Sequence, residues 1–146
     1  MHLVVASDHA AIALREQVVA HLRSRGHEVT VSGPAEGERS DYPNEAAWAA
    51  RAVAEGRADA GVLLCGTGIG VSIAANKVVG VRAALVHDVT TARLAAEHNR
   101  ANVLCLGARV LGSVVALDCV DAWLDTPFEA RHQARLDLIA ALETDA

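Results

Sequence analysis

Five short apolar runs, each followed by a stretch with helical spacing, constrain this chain more than any other feature. Leu3-Val4-Val5-Ala6-Ser7 leads into Ala10 to Arg25, where Ile12, Val18, Val19 and Leu22 recur at helical spacing and Gly26 closes the helix. The alternation then repeats: strand Glu28 to Ser32, helix from about Asn44 to Glu55, strand Ala60 to Cys65, helix from about Gly70 to Asn76. Strand Arg82 to Val86, helix Thr90 to His98, strand Asn102 to Leu106 and helix Gly112 to Leu124 complete it. Runs this apolar suit strands covered on both faces. The pattern predicts one α/β domain over residues 1–146, a three-layer α/β/α fold whose five-stranded parallel sheet, with right-handed crossovers, is Rossmann-like or flavodoxin-like.

In such a sheet, ligands bind beyond the C-terminal ends of the strands. Those ends carry Ser7-Asp8-His9, Cys65-Gly66-Thr67, His87-Asp88 and Gly107-Ala108-Arg109, and a polar loop from Gly33 to Ser40 delivers Asp41-Tyr42-Pro43 toward the same rim. The richest of these ends is Cys65-Gly66-Thr67-Gly68-Ile69-Gly70. Its glycines let the chain turn sharply and aim several N–H groups at one ligand, and the helix that follows adds the positive end of its dipole. The G-x-G-x-G spacing is not the G-x-G-x-x-G of a dinucleotide site, and no Lys-Ser/Thr pair makes it a P-loop. Alone, the loop means an anion or polar ligand. An isolated cysteine is commonly a small core residue, but Cys65, at a strand end ahead of a helix N-terminus, sits where a thiolate is stabilised.

Composition excludes several classes. Aromatic residues are only 3% of the chain, so the core is built from Ala, Val, Leu and Ile. A net charge of −5 argues against nucleic acid as a partner. The three cysteines, Cys65, Cys105 and Cys119, cannot all pair and form no C-x-x-C, which fits a reducing compartment. No apolar signal segment opens the chain and no run approaches the ~18 residues of a membrane span, so a soluble, cytoplasmic protein is expected.

The seven histidines fall at 2, 9, 21, 27, 87, 98 and 132, without the close helical pair that binds a metal, so no metal site is expected. His9 and His98 stand at element ends among polar neighbours, where acid–base work near neutral pH is feasible; a dipole-complementing cation is the plainer reading of His98. Arg131 and Arg135, four apart in the last helix, can converge on a phosphate or carboxylate, or simply form a solvated face with Glu129. That helix, Arg131 to Glu143, places Leu136, Ile139, Ala140 and Leu142 on one side and has no strand after it. It packs on its own domain or lies across a second subunit.

Taken together, Ser7-Asp8-His9-Ala10, Asp41-Tyr42-Pro43, the run from Cys65 to Lys77, Glu97-His98-Asn99, Gly107-Ala108-Arg109-Val110 and Arg131-His132-Gln133-Ala134-Arg135 resemble the ribose-5-phosphate isomerase B family, which includes the galactose-6-phosphate isomerase type. The resemblance spans the whole chain. It implies an aldose–ketose isomerase that needs no cofactor and interconverts ribose 5-phosphate and ribulose 5-phosphate through an enediol(ate). Cys65 would move the proton between C1 and C2, while Thr67 and the amides of Gly66, Gly68, Ile69 and Gly70 would stabilise the enediolate oxygen. His98 would assist ring opening and Asp8 would hold sugar hydroxyls. His9, Arg109, Arg131 and Arg135 would engage the phosphate or its surroundings, and Tyr42 and Asn99 the sugar. The resemblance further implies a homodimer, or a dimer of dimers, with His98, Asn99 and Arg109 reaching the site from the neighbouring subunit.

The chemistry fits these roles. Moving a proton between adjacent carbons needs a base poised near the working pH, and preorganised N–H groups stabilise the developing oxyanion by ~3 kcal/mol per donor. Two departures from the family pattern, Ala11 where Gly is common and Arg100 where Asp is common, bear on substrate choice among four-, five- and six-carbon sugar phosphates. Two other readings stand beside this one. Asp88 could be the ribose-binding acid of a nucleotide site, about twenty residues past the glycines, or the chain could be a noncatalytic sugar-phosphate sensor.

Overall fold

The computed structural model describes residues 1–144. Five strands, β1 (His2–Ser7), β2 (Glu28–Ser32), β3 (Ala60–Cys65), β4 (Ala83–Leu85) and β5 (Val103–Gly107), form one all-parallel sheet in the order β2-β1-β3-β5-β4. Six helices accompany them: α1 (Ile12–Ser24), α2 (Tyr42–Ala54), α3 (Ile69–Ala75), α4 (Val89–Glu97), α5 (Ser113–Asp125) and α6 (Gln133–Leu142). The three-layer α/β/α architecture expected from the sequence is present.

Alternation along each central strand explains why both faces are apolar. Leu3 and Val5 of β1, Val62 and Leu64 of β3, and Leu104 and Leu106 of β5 enter one core with α1, α4 and α5. Val4 and Ala6, Leu63 and Cys65, and Val103 and Cys105 enter the other with α2 and α3. Alanines at 46, 49, 50 and 52 let α2 lie close to the sheet.

The strand order is flavodoxin-like except that the last two strands exchange places. β5 is buried along its whole length and takes the inner position; β4, only Ala-Ala-Leu and half-buried, takes the edge. Crossovers leading from β1 toward β2 use the α1 face, whereas those leading from β3 toward β4 use the α3 face. The reversal opens a crevice between the C-terminal ends of β1 and β3, the switch point at which such sheets bind ligands.

Several boundaries differ from expectation, each for a local reason. The first helix begins at Ile12, because Asp8 Oδ1 accepts from Ala10 N–H at 3.0 Å and caps a separate 3-10 turn, His9–Ala11. α2 starts at Tyr42 because Pro43 suits a first helical turn. β4 is shorter than Arg82 to Val86, since side-chain amides take strand hydrogen bonds: Asn102 Oδ1 accepts from Arg82 N–H at 2.8 Å, and Asn76 pairs with both the N–H and the C=O of Ala83 at 2.9 Å. The last helix is divided into a 3-10 turn, Ala130–His132, and α6. Its expected stripe is only partly buried: Leu136 is 6% exposed, but Ile139 is 40% and Leu142 71% exposed, because α6 does not lie on the sheet.

Candidate active site

The crevice is lined by the turns that follow β1, β3 and β5. Cys65 ends β3, 5% exposed, opposite Gly107 in the sheet register. Gly68 donates its N–H to Cys65 Sγ at 3.1 Å, so a backbone dipole faces the sulfur. Gly68 has φ +78°, and a Cβ there would lie 2.6 Å from Leu85 Cδ1 and 2.9 Å from the Leu106 carbonyl carbon; only glycine fits. Thr67 is exposed at the tip of the turn, where its hydroxyl oxygen accepts from Ile69 N–H at 3.2 Å. Gly70 lies beneath the Tyr42 ring: a Cβ would come within 2.6 Å of two ring carbons, so the absent side chain makes room for the aromatic ring over the start of α3.

On the β1 side, Asp8 is 7% exposed and spends Oδ1 on its cap, which leaves the second carboxylate oxygen for a ligand. His9 Nδ1 bonds the Ser40 carbonyl at 3.1 Å, and Arg39 Nη2 lies 3.4 Å from His9 Nε2. A carbonyl only accepts and a guanidinium only donates, so the neutral ring carries its proton on Nδ1. Ser40 Oγ, beside them, is buried without a hydrogen-bond partner.

Arg109 also stands at this rim, on the turn that follows β5. The turn after β5 is tied to the glycine turn by Ala108 N–H to Cys65 O and Arg109 N–H to Gly66 O, both 2.9 Å. That brings the Arg109 side chain over Gly66, where a Cβ would stand 3.4 Å from its Cδ and Nη1. One strand of the rim thus supplies the thiol and its neighbour a cation.

His98, Asn99, Arg131 and Arg135 gather elsewhere. α4 starts at the rim, where Asp88 caps it by accepting from Thr91 N–H at 2.7 Å, and runs back about 13 Å to the other end of the sheet. His98 terminates it there. The His98 and His132 rings lie 4.3 Å apart, Glu129 N–H donates to Glu97 O at 2.9 Å, and Arg131 Nε donates to Glu129 at 2.5 Å. Arg135 Nη1 approaches His132 Nδ1 at 3.2 Å, while the Asn99 carbonyl accepts from Arg82 Nε at 3.2 Å.

His98, Glu129 and His132 bring one ligand atom each within 4.8 Å of one another, the spacing of a metal clamp that the sequence intervals did not reveal. The donor set does not suit a cation. Arg135 can only donate to His132 Nδ1, which leaves the proton on Nε2, and that buried N–H has no acceptor. Burial, with Arg131, His98 and Arg135 around it, lowers the affinity of His132 for a second proton. The cluster presents mainly donors: the Nε2 proton of His132 and the guanidinium groups of Arg131 and Arg135. Ser40, Arg39, Glu129 and His132 carried no role in the sequence reading; the turn of helix between His132 and Arg135 was the one available signal.

Comparison with known proteins places the chain among sugar-phosphate isomerases by likeness of sequence and fold. The family described as Ribose/Galactose Isomerase matches residues 3–139. Ribose-5-phosphate isomerase B of Escherichia coli is 47% identical over 93% of this chain and 92% of its own. D-erythrulose-4-phosphate isomerase of Pectobacterium atrosepticum is 43% identical over 92% and 89%. The crystal structure of ribose-5-phosphate isomerase B from Mycoplasma genitalium with bound ribulose-5-phosphate superposes with a TM-score of 0.94 at 40% identity, covering 99% of this chain and 97% of that one. With a family model matching residues 3–139 and the same fold in relatives of 40% identity and more, the chain belongs to the ribose/galactose isomerase family.

Proposed function

We propose that the protein is an aldose–ketose isomerase interconverting ribose 5-phosphate and ribulose 5-phosphate, with Cys65 as the base. The observation that carries this reading is the Cys65 sulfur, faced by the Gly68 amide, at a crevice that also holds a half-free Asp8 carboxylate, the Thr67 hydroxyl and the cations Arg39 and Arg109. Once the sugar ring is open, the thiolate takes the proton from C2 and negative charge moves onto O1, where Thr67 and the amides from Gly66 to Gly70 meet it. The thiol, whose proton exchanges with solvent while the enediolate persists, delivers a proton to C1, and the hydroxyl proton passes from O2 to O1. One carbon is reduced as its neighbour is oxidised, so no outside electron carrier enters the balance.

His98 is the ring-opening group and comes from a second copy of the chain. Two features support a homodimer, with a dimer of dimers as its larger form. His98 stands a helix length from its own Cys65, with Asn99, Arg131 and Arg135 beside it. An apolar groove of about 690 Å³ between α6 and the β4 edge, lined by Val79, Val81, Ala83, Ile139 and Leu142, leaves half-exposed aliphatic surface for a partner to cover. No helix among the described residues is long and apolar enough to cross a membrane. Three free thiols suit a reducing cytoplasm.

A second reading keeps the mechanism and changes the sugar to a four- or six-carbon phosphate. The likeness to an erythrulose-4-phosphate isomerase favours it, and one methylene changes selectivity by only ~1–3 kcal/mol. The deciding experiment supplies ribose, erythrose, allose and galactose phosphates to the purified protein in deuterated water. Turnover of ribose 5-phosphate fastest, with label entering at the carbon beside the carbonyl, is the expected result. Absence of both turnover and label with every sugar would end the isomerase reading.

A further inference from the structure

Arg15 is a charge that the fold buries without assigning it to the reaction. It lies in the first turn of α1, 5% exposed. Its guanidinium is shared among three partners: Nη1 donates to Ser7 Oγ at 3.2 Å, Nη2 to the Pro34 carbonyl at 2.9 Å, and Nε and Nη2 to Glu16 Oε1 at 3.2 and 3.1 Å. Ser7 passes the contact on, its hydroxyl donating to the Asp8 carbonyl at 3.0 Å. The chain closes on the guanidinium from the loop side as well. Gly33 has φ +127°, and a Cβ there would lie 2.3 Å from Arg15 Nη1 and 2.4 Å from Ser7 O.

The far end of the same loop holds the crevice histidine, through the Ser40 carbonyl on His9 Nδ1 and Arg39 on His9 Nε2, and then leads into Tyr42 above Gly70. Beyond the β1–β2 ladder, the hydrogen bonds joining residues 33–40 to the rest of the described chain are those of Pro34 with Arg15 and of Arg39 and Ser40 with His9. One anchor is therefore structural and the other is the site itself. A lysine cannot replace the first, because one ammonium on a flexible stem lacks the planar fork that spans a hydroxyl and a carbonyl together.

We propose that Arg15 is a positioning residue that latches the 33–41 loop to the end of β1, and thereby fixes the His9 ring and Tyr42 for sugar-phosphate binding. This rests on the isomerase reading above. Loss of the latch leaves Cys65 and Thr67 untouched, since they stand on another strand, and loosens the groups that hold the substrate.

The test compares Arg15→Met, Arg15→Lys and wild type by steady-state kinetics, by ¹⁵N NMR of the His9 ring and by tryptic cutting after Arg39. Arg15→Met is expected to raise KM about tenfold with kcat within about twofold, to average the two His9 nitrogen signals and to speed the cut; Arg15→Lys recovers part of each. If Arg15→Met does not fold, Gly33→Ala, which drives a methyl between Nη1 and Ser7 O with the charge intact, is expected to show the same KM rise and nitrogen shifts. A folded variant with unchanged KM and unchanged His9 nitrogen signals overturns the latch. If wild type turns over no sugar phosphate, the isomerase reading fails, while the nitrogen shifts and the cutting rate still decide the latch.

Discussion

Three thiols share one chain, and their surroundings assign them different work. Cys105 points into the same core as Cys65 but sits deeper, paired in register with Leu63, and burial pushes its thiol up. Burial also raises Cys119, to about 11, with Asp88 and Asp118 adding to the effect. Only Cys65 meets an amide at a strand end. Cys65→Ala is therefore expected to lower kcat by about three orders of magnitude while sugar-phosphate affinity, read by calorimetry, stays within about threefold; Cys105→Ala should keep kcat near wild type. A comparable loss from both would remove Cys65 from the role of base. The cysteine, the glycines and Asp8 were legible because strand ends and glycine spacing are written locally. Arg109 was legible as a rim residue by the same rule, but not the return of its long side chain over Gly66, which depends on a tight turn that no local pattern encodes.

Elements were legible where apolar period decided them and misread where side-chain amides did. Asn76 and Asn102 mimic strand backbone and so trim β4, an effect invisible to hydropathy. The junction before α6 has a different consequence. His132 is buried against His98 among Arg131 and Arg135, with Glu129 the one opposing charge, and its folded form resists protonation. The unfolded chain then binds more protons than the native one as pH falls below the ordinary value of 6.5, so this residue subtracts stability there and nothing well above it. Urea titrations between about pH 7.5 and pH 5 should show a falling unfolding free energy, and His132→Asn should flatten that fall. An identical slope in the variant would mean that other groups carry it.

The molecule as a whole divides its functional groups between opposite ends of one sheet, which periodicity could not reveal, because α4 alone sets the separation of His98 from the rim. If a site takes Cys65 from one protomer and His98 from the other, two dead variants can restore each other. Cys65→Ala mixed one to one with His98→Asn and reassembled should regain about a quarter of wild-type activity, since half the dimers are mixed and each holds one intact site. No recovery after verified exchange would mean that both groups serve a site within one chain. The carboxamide of Asn76 bears on how such an assembly ends. By occupying both outward polar groups of Ala83, it denies an incoming strand its docking bonds at that position on the open margin of the sheet. Lengthening of the sheet by one more strand is thereby discouraged at this margin.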